Sequence, residues 1–248
     1  MTKLFKGILI CFEGIDGSGK SETAASVHKE LQSIGVPATR LDRNCTEGCP
    51  DFVVDRLSAL KELLWNYPQS TSVRAYGDRH LIHLLISWFH CFDEWVIRPR
   101  IMIPQVVLLD TWIYKYVARF ALKPAFNESA LLSSFDGLTT PSRIILLSLD
   151  PHRAWLRKSK MAKDTEAEST TENTDLACRF VEYQTKVQRE LTRFSTKLNW
   201  QTIDAGLPLP AVTSAMVREI VKLIPHIQRT AFDRPITRAG RRLAPIRG

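Results

Sequence analysis

The 248 residues are 44% hydrophobic and 24% charged, a balance that lets one large domain or two small ones bury a sizeable core unaided. Of the net charge of +8, residues 226–248 (six arginines, one aspartate) carry +5 and leave +3 for the rest, so global basicity gives no case for nucleic acid, and none is expected as a partner. No apolar run reaches the ~18–20 residues of a membrane span. The N-terminus lacks a signal-peptide pattern, and the default expectation is a reducing, cytoplasmic setting.

Leu4–Phe12 is a continuous apolar run of the kind a buried parallel strand shows. Lys20–Ile34 reads as a helix closed by Gly35 and Pro37, and Ala38–Leu41 as a short strand. Asp51–Trp65 reads as a helix with Asp51 as its cap. Thr71–Val96 is a long apolar-periodic helix, rich in aromatics and histidine, that ends before Pro99. QVVLLD (Gln105–Asp110) is a third buried strand ending in an acid, and a helix follows over Trp112–Leu122. RIILLSLD (Arg143–Asp150) repeats the pattern, with Asp150 as the cap and Pro151 as the first residue of the next helix. The acidic, Thr/Ser-rich run Asp164–Thr174 is a loop. A charged helix over Asp175–Leu198, a strand over Trp200–Ile203 and a helix over Ala211–Ile224 complete the body. Residues 226–248 form a basic, Arg-rich tail, extended or disordered.

Strands alternating with helices predict an α/β layer fold with a mainly parallel sheet. Ligands bind beyond the carboxyl ends of strands in such folds, where Glu13, Asp110 and Asp150 all fall. Of the five cysteines, Cys11 and Cys91 lie in apolar runs and read as core. Cys45 and Cys49 are the only close pair, without further ligands at metal-binding spacing.

The segment EGIDGSGKS, Glu13–Ser21, decides the chemistry. Gly14 to Ser21 fits GxxxxGK[ST] at each fixed position, between a buried strand and a helix. Gly14, Gly17 and Gly19 let backbone N–H groups turn inward around phosphates, together with Ser18. Lys20 reaches the β and γ phosphates of ATP, and the Ser21 hydroxyl ligates Mg²⁺. Glu13, Asp16 and Glu22 are acids beside the cradle. For Glu13 and Asp16 three readings stay open: indirect metal binding, contact with a second substrate, or solvated loop positions. Asp110 suits a strand-end acid that holds the Mg²⁺ water shell, or a cap for the helix that follows.

The P-loop segment FEGIDGSGKSETA resembles that of thymidylate kinases. The resemblance continues through AYGDRHLIHLLISWFHCFDEWVIRP, VVLLDTW, RIILLSLDPHRAWLRK and RFVEYQTKVQREL, in the family's order, over roughly residues 5–222. It implies a P-loop kinase domain over residues 1–225, of nucleoside monophosphate kinase type. That domain has a five-stranded parallel sheet, helices on both faces, and a lid over about 153–175 with Arg153 and Arg157. The implied reaction moves the γ-phosphoryl group of ATP to dTMP with Mg²⁺, in a homodimer formed through the long-helix face. Carried over by motif, Asp16 faces the acceptor sugar, Arg79 the acceptor base or phosphate, and Asp110 the Mg²⁺ side; these three and Lys20 form the catalytic set.

The departures lie on the acceptor side. The family's Asp-Arg-Tyr is here Asp110-Thr111-Trp112, and threonine cannot replace a bidentate guanidinium. Lys115 or Arg119 along the following helix, or Arg74 or Arg79 from the long one, could supply the missing charge. Arg43 follows strand two in place of the family's loop there, and Tyr114 occupies a position that is small in the family. His80, His83 and His90 share one helix face, and packed core or acceptor-pocket lining outweighs a metal site. Three functions follow from these residues. One is a dTMP-type nucleotide kinase, the second a kinase with another acceptor, and the third an ATP-binding regulator that acts through its tail.

Overall fold

A computed structural model of the chain describes residues 7–66, 77–158, 162, 166–167 and 175–224. Its five-stranded parallel sheet has the order β2-β3-β1-β4-β5, built from β1 (Ile8–Glu13), β2 (Ala38–Leu41), β3 (Val106–Leu109), β4 (Arg143–Ser148) and β5 (Gln201–Asp204). β1 is central, paired with β3 from Ile8↔Val106 and with β4 from Ile10↔Arg143. Its apolar run is unbroken because both faces are covered. Leu9, Ile10, Cys11 and Phe12 are all core residues, as a parallel strand between two helix layers requires.

On one face α1 (Lys20–Ser33) packs against α9 (Leu209–Lys222). On the other, α5 (Tyr114–Ala121) and α7 (Pro151–Arg157) pack against α8 (Leu176–Lys197), and α2 (Asp51–Trp65) against α3 (Asp78–Phe92). The division follows from right-handed crossovers, since β1→β2 runs one way along the sheet and β2→β3, β3→β4 and β4→β5 run the other, and crossovers of opposite direction use opposite faces. Asp51 opens the first turn of α2, but Pro50 occupies the cap position and no side chain caps the helix. Asp150 accepts the Arg153 N–H at 3.1 Å and caps α7 as expected.

The long helix differs from its reading. α3 ends at Phe92, a π-helical turn spans Asp93–Ile97, and the chain continues through Pro99 in a short helical turn, α4 (Arg98–Ile101). Pro99 follows directly in this continuous helical backbone, next to the π-helical turn, where the regular hydrogen-bond ladder is already interrupted. His80 and His83 are exposed and His90 half-buried, so none of the three is core, and none lines either cavity at the phosphate loop. A short helix that escaped the reading, α6 (Glu128–Ser133), is capped by Asn127, which accepts the Ala130 N–H. Residues 67–76, most of the lid and the tail from 225 onward lie outside the described residues. No helix among the described residues is long and apolar enough to cross a membrane.

The π-helical turn carries the buried Asp93. Its carboxylate accepts from Arg98 Nε at 2.9 Å and from the Thr139 N–H at 3.1 Å, tying the end of α3 to the loop before β4. Replacing Asp93 with alanine strands the Thr139 N–H and is expected to cost about 2–3 kcal/mol, read from the midpoint of urea denaturation.

Candidate active site

β1 delivers the chain to a tight loop over Gly14–Gly19. Gly17 and Gly19 adopt φ of 80° and 90°, which side chains disfavour. A Cβ on Gly17 would also stand 2.6 Å from the Ala154 carbonyl of α7, so α7 is rooted against the loop. Lys20 Nζ donates to Gly14 O at 3.0 Å and Ile15 O at 2.8 Å. Burial, then the neighbouring Lys115, draws the Lys20 ammonium down to about 8. The Ser21 hydroxyl, at the start of α1, donates to Asp110 Oδ2 at 2.7 Å. Two hard oxygen donors beside a glycine-lined loop and a lysine fit an Mg²⁺–nucleotide pair.

Two carboxylates bracket this loop. Glu13 is 0% exposed and accepts the Trp112 N–H at 3.1 Å. Burial raises it to about 7, against the pull of Lys115 and Lys20. It therefore lies beneath the cradle, holding the β3–α5 turn, and not on the ATP surface. Asp16 is partly buried, and although desolvation works to raise it, Arg119 and Lys115 hold it far below the usual carboxylate range. Lys115 donates to its Oδ1 at 3.1 Å, Arg119 to its Oδ2, and Gln184 Nε2 to Oδ2 at 3.2 Å. Gln184 Oε1 in turn accepts the Asp16 N–H at 3.1 Å.

Two cavities open from the loop. The larger, about 500 Å³, has a polar end at Asp16, Lys20, Ser21, Asp110 and Lys115 and an aromatic end at Trp65, Trp88, Phe89, Phe92, Trp112 and Tyr116. Several of the rings pack edge to face, as in Trp65–Trp88 at 5.0 Å and Phe89–Tyr116 at 5.4 Å, while Trp88 and Phe92 stack at 4.6 Å. The smaller, about 390 Å³, lies on the other side of Gly17–Gly19, against Glu22, Arg157, Ala205, Leu207 and Val212.

Of the residues singled out by sequence, Arg43, Thr111 and Lys115 line the large cavity, with Arg43 stacked over Trp65. Arg119 joins through Asp16 alone. Arg79 is not brought to the cavity; it is exposed and lies over the Phe126 ring. Tyr114 turns away as well, packing on Phe194 and Trp200, because successive residues of α5 point about 100° apart. Arg153 donates to Gly206 O and Arg157 to Ala205 O, so both pin the loop after β5. Arg74 lies outside the described residues. Sequence reasoning missed Gln184, Trp65 and Glu166. Gln184 carried a legible signal, a polar residue inside the apolar stripe of Phe180, Tyr183, Val187 and Leu191.

The raised Glu13 has a defined linkage sign. Between about 4.5, the ordinary value, and about 7, the folded state keeps a proton that the unfolded state releases, so stability falls as pH rises through this window. Glu13→Gln keeps an acceptor for Trp112 and is expected to flatten that slope. The gain at pH 8 is on the order of 2–3 kcal/mol, measured by denaturant titrations between pH 4.5 and 8.

The chain is 29% identical to the thymidylate kinase of Caenorhabditis elegans over 153 residues, 60% of this chain and 66% of that protein. It is 23% identical to the thymidylate kinase of Danio rerio over 237 residues, 93% and 96% of the two chains. It is 22% identical to that of Plasmodium falciparum over 218 residues, 88% and 91%. No family model matches the chain. Proteins named thymidylate kinase are thus similar to this chain at low identity, two of them along nearly its whole length.

Proposed function

We propose that the chain is an ATP-dependent nucleotide kinase that transfers the γ-phosphoryl group of ATP to a nucleoside monophosphate. The names of its relatives point to dTMP as the acceptor. One observation carries the reading: the Ser21–Asp110 contact of 2.7 Å stands beside Lys20 at the junction of two cavities. The smaller cavity suits the base and sugar of ATP, and the larger an acceptor with a flat ring and an anionic end.

In the reaction an oxygen of the acceptor phosphate forms a bond to Pγ while the bond from Pγ to the β–γ bridging oxygen breaks, and ADP leaves. Catalysis is positioning plus charge neutralisation. The Gly14 and Ile15 carbonyls hold the Lys20 ammonium at the lip of the loop, and nucleotide phosphate oxygens would take over those bonds. Ser21 and Asp110 would hold Mg²⁺, Asp110 directly or through water. When bound, the ion neutralises phosphate charge. Lys158, paired with Glu166 at 2.9 Å, lines the same cavity from the lid side.

A second reading keeps the reaction and changes the acceptor. Thr111 carries no charge at the turn after Asp110, and both oxygens of Asp16 are already engaged. A homodimer through the α3 side belongs to the same proposal and is supported by the exposed edge-on pair Phe52–Trp95. Sedimentation equilibrium checks it, with a mass near twice the 28.3 kDa chain expected.

The kinase reading is tested by ADP formation with Mg²⁺ against a panel of nucleoside monophosphates and nucleosides. Turnover with dTMP is expected, reduced by about two to three orders of magnitude in Lys20→Ala. Turnover only with another acceptor selects the second reading. ATP binding without turnover on any acceptor overturns both and favours a nucleotide-binding regulator.

A further inference from the structure

The large cavity changes character at Lys115. Its ammonium stands 3.1 Å from Asp16 Oδ1 and 5.5 Å from the centre of the Tyr116 ring, at the seam between the phosphate loop and the aromatic wall. The side chain is only 8% exposed, yet it lines the cavity. An ammonium has three donors, and the hydrogen bond it makes here is the one to Asp16. That carboxylate is shared, because Arg119 takes its other oxygen. One carboxylate thus accepts from two cations at contact distance, the buried Lys115 and the partly buried Arg119.

The position compounds the imbalance. Lys115 sits in the first turn of α5, where the helix presents its positive end and a cation is disfavoured. Lys20 is a further cation on the same cavity. Glu13, the other carboxylate packed beneath this turn, is fully buried and takes up the Trp112 N–H. A lysine buried under these conditions is stabilised when an anion completes its shell. Independently, the Thr111 hydroxyl on the same cavity is buried without a hydrogen-bond partner. It is a second donor for the same anion.

We propose that Lys115 and the Thr111 hydroxyl bind the phosphate of the acceptor, with Asp16 and Arg119 as the positioning residues that fix the lysine there. This rests on the kinase reading and narrows it. The acceptor is a nucleoside monophosphate whose base lies on the Trp65–Tyr116 side of the cavity, not a nucleoside and not a neutral alcohol.

Calorimetric titration of the full chain with dTMP, dUMP, dGMP and AMP, each beside its own nucleoside, tests this apart from catalysis. At least one monophosphate is expected to bind tenfold or more tightly than its nucleoside. Lys115→Met is expected to abolish that preference while nucleoside affinity stays within twofold, and Lys115→Arg to retain most of it. Adding Thr111→Arg to Lys115→Met should restore it, which a merely structural lysine would not allow. Arg119 still neutralises Asp16 in Lys115→Met. Should that variant not fold, Thr111→Val is expected to lower monophosphate affinity three- to tenfold with the nucleoside unaffected. A phosphate preference that persists in folded Lys115→Met, or no loss in Thr111→Val, overturns the assignment even if wild-type turnover keeps the kinase reading intact. A wild-type chain that prefers nucleosides and phosphorylates one overturns both the assignment and the monophosphate acceptor.

Discussion

The carboxylate of Asp16 holds three distant segments to one point. The phosphate loop supplies it, α5 reaches it through Lys115 and Arg119, and α8 reaches it through Gln184. Gln184 also bonds the Asp16 N–H and, through its amide nitrogen, the Glu166 carbonyl at 2.8 Å, which brings the lid side to the same place. Removing such a carboxylate would leave two cations facing each other, a far larger penalty than losing any one of its bonds. The shape of the cradle is therefore set by two cations about 100 residues away and a neutral amide about 170 residues away as much as by its own glycines.

Glu13 and Asp16 show how two acids three residues apart acquire opposite characters. Glu13 is buried and Asp16 partly buried. Glu13 meets a backbone amide and few compensating charges at contact distance, so desolvation wins and its proton is held to about 7. Asp16 meets a guanidinium and an ammonium at contact, which outweigh the same desolvation. One acid works as a neutral or half-charged brace under the β3–α5 turn. The other works as a permanent anion that gathers cations next to the cavity.

The parts of this architecture that were legible in the sequence are those set by local pattern. Apolar runs ending in acids located β1, β3 and β4, and GxxxxGK[ST] located Lys20 and Ser21 together with the strand and helix that flank them. Asp110 was legible because an acid at a buried strand end has few other uses. What lay beyond local pattern was partnership. Nothing within reach of Asp16 in sequence says that Arg119 and Gln184 will meet it, and Arg79 and Tyr114 were misplaced because helix phase decides which of several polar neighbours faces a cavity. The π-helical turn at Asp93–Ile97 was invisible for a related reason. Its stabilising contacts run to Thr139, on the far side of three helices and a strand.

The central position of β1 has a consequence for how the chain acquires its ligand site. Its second neighbour, β4, begins only at Arg143, and the helix bearing Gln184 comes later still. Parallel pairings at such separations close large loops and form late. A nascent chain on the ribosome that has not yet reached β4 holds a complete glycine-rich motif but lacks the packed strand, the α7 backing and the α8 tether that shape it. Nucleotide therefore meets its full set of contacts only in the finished fold, which it stabilises by mass action once formed.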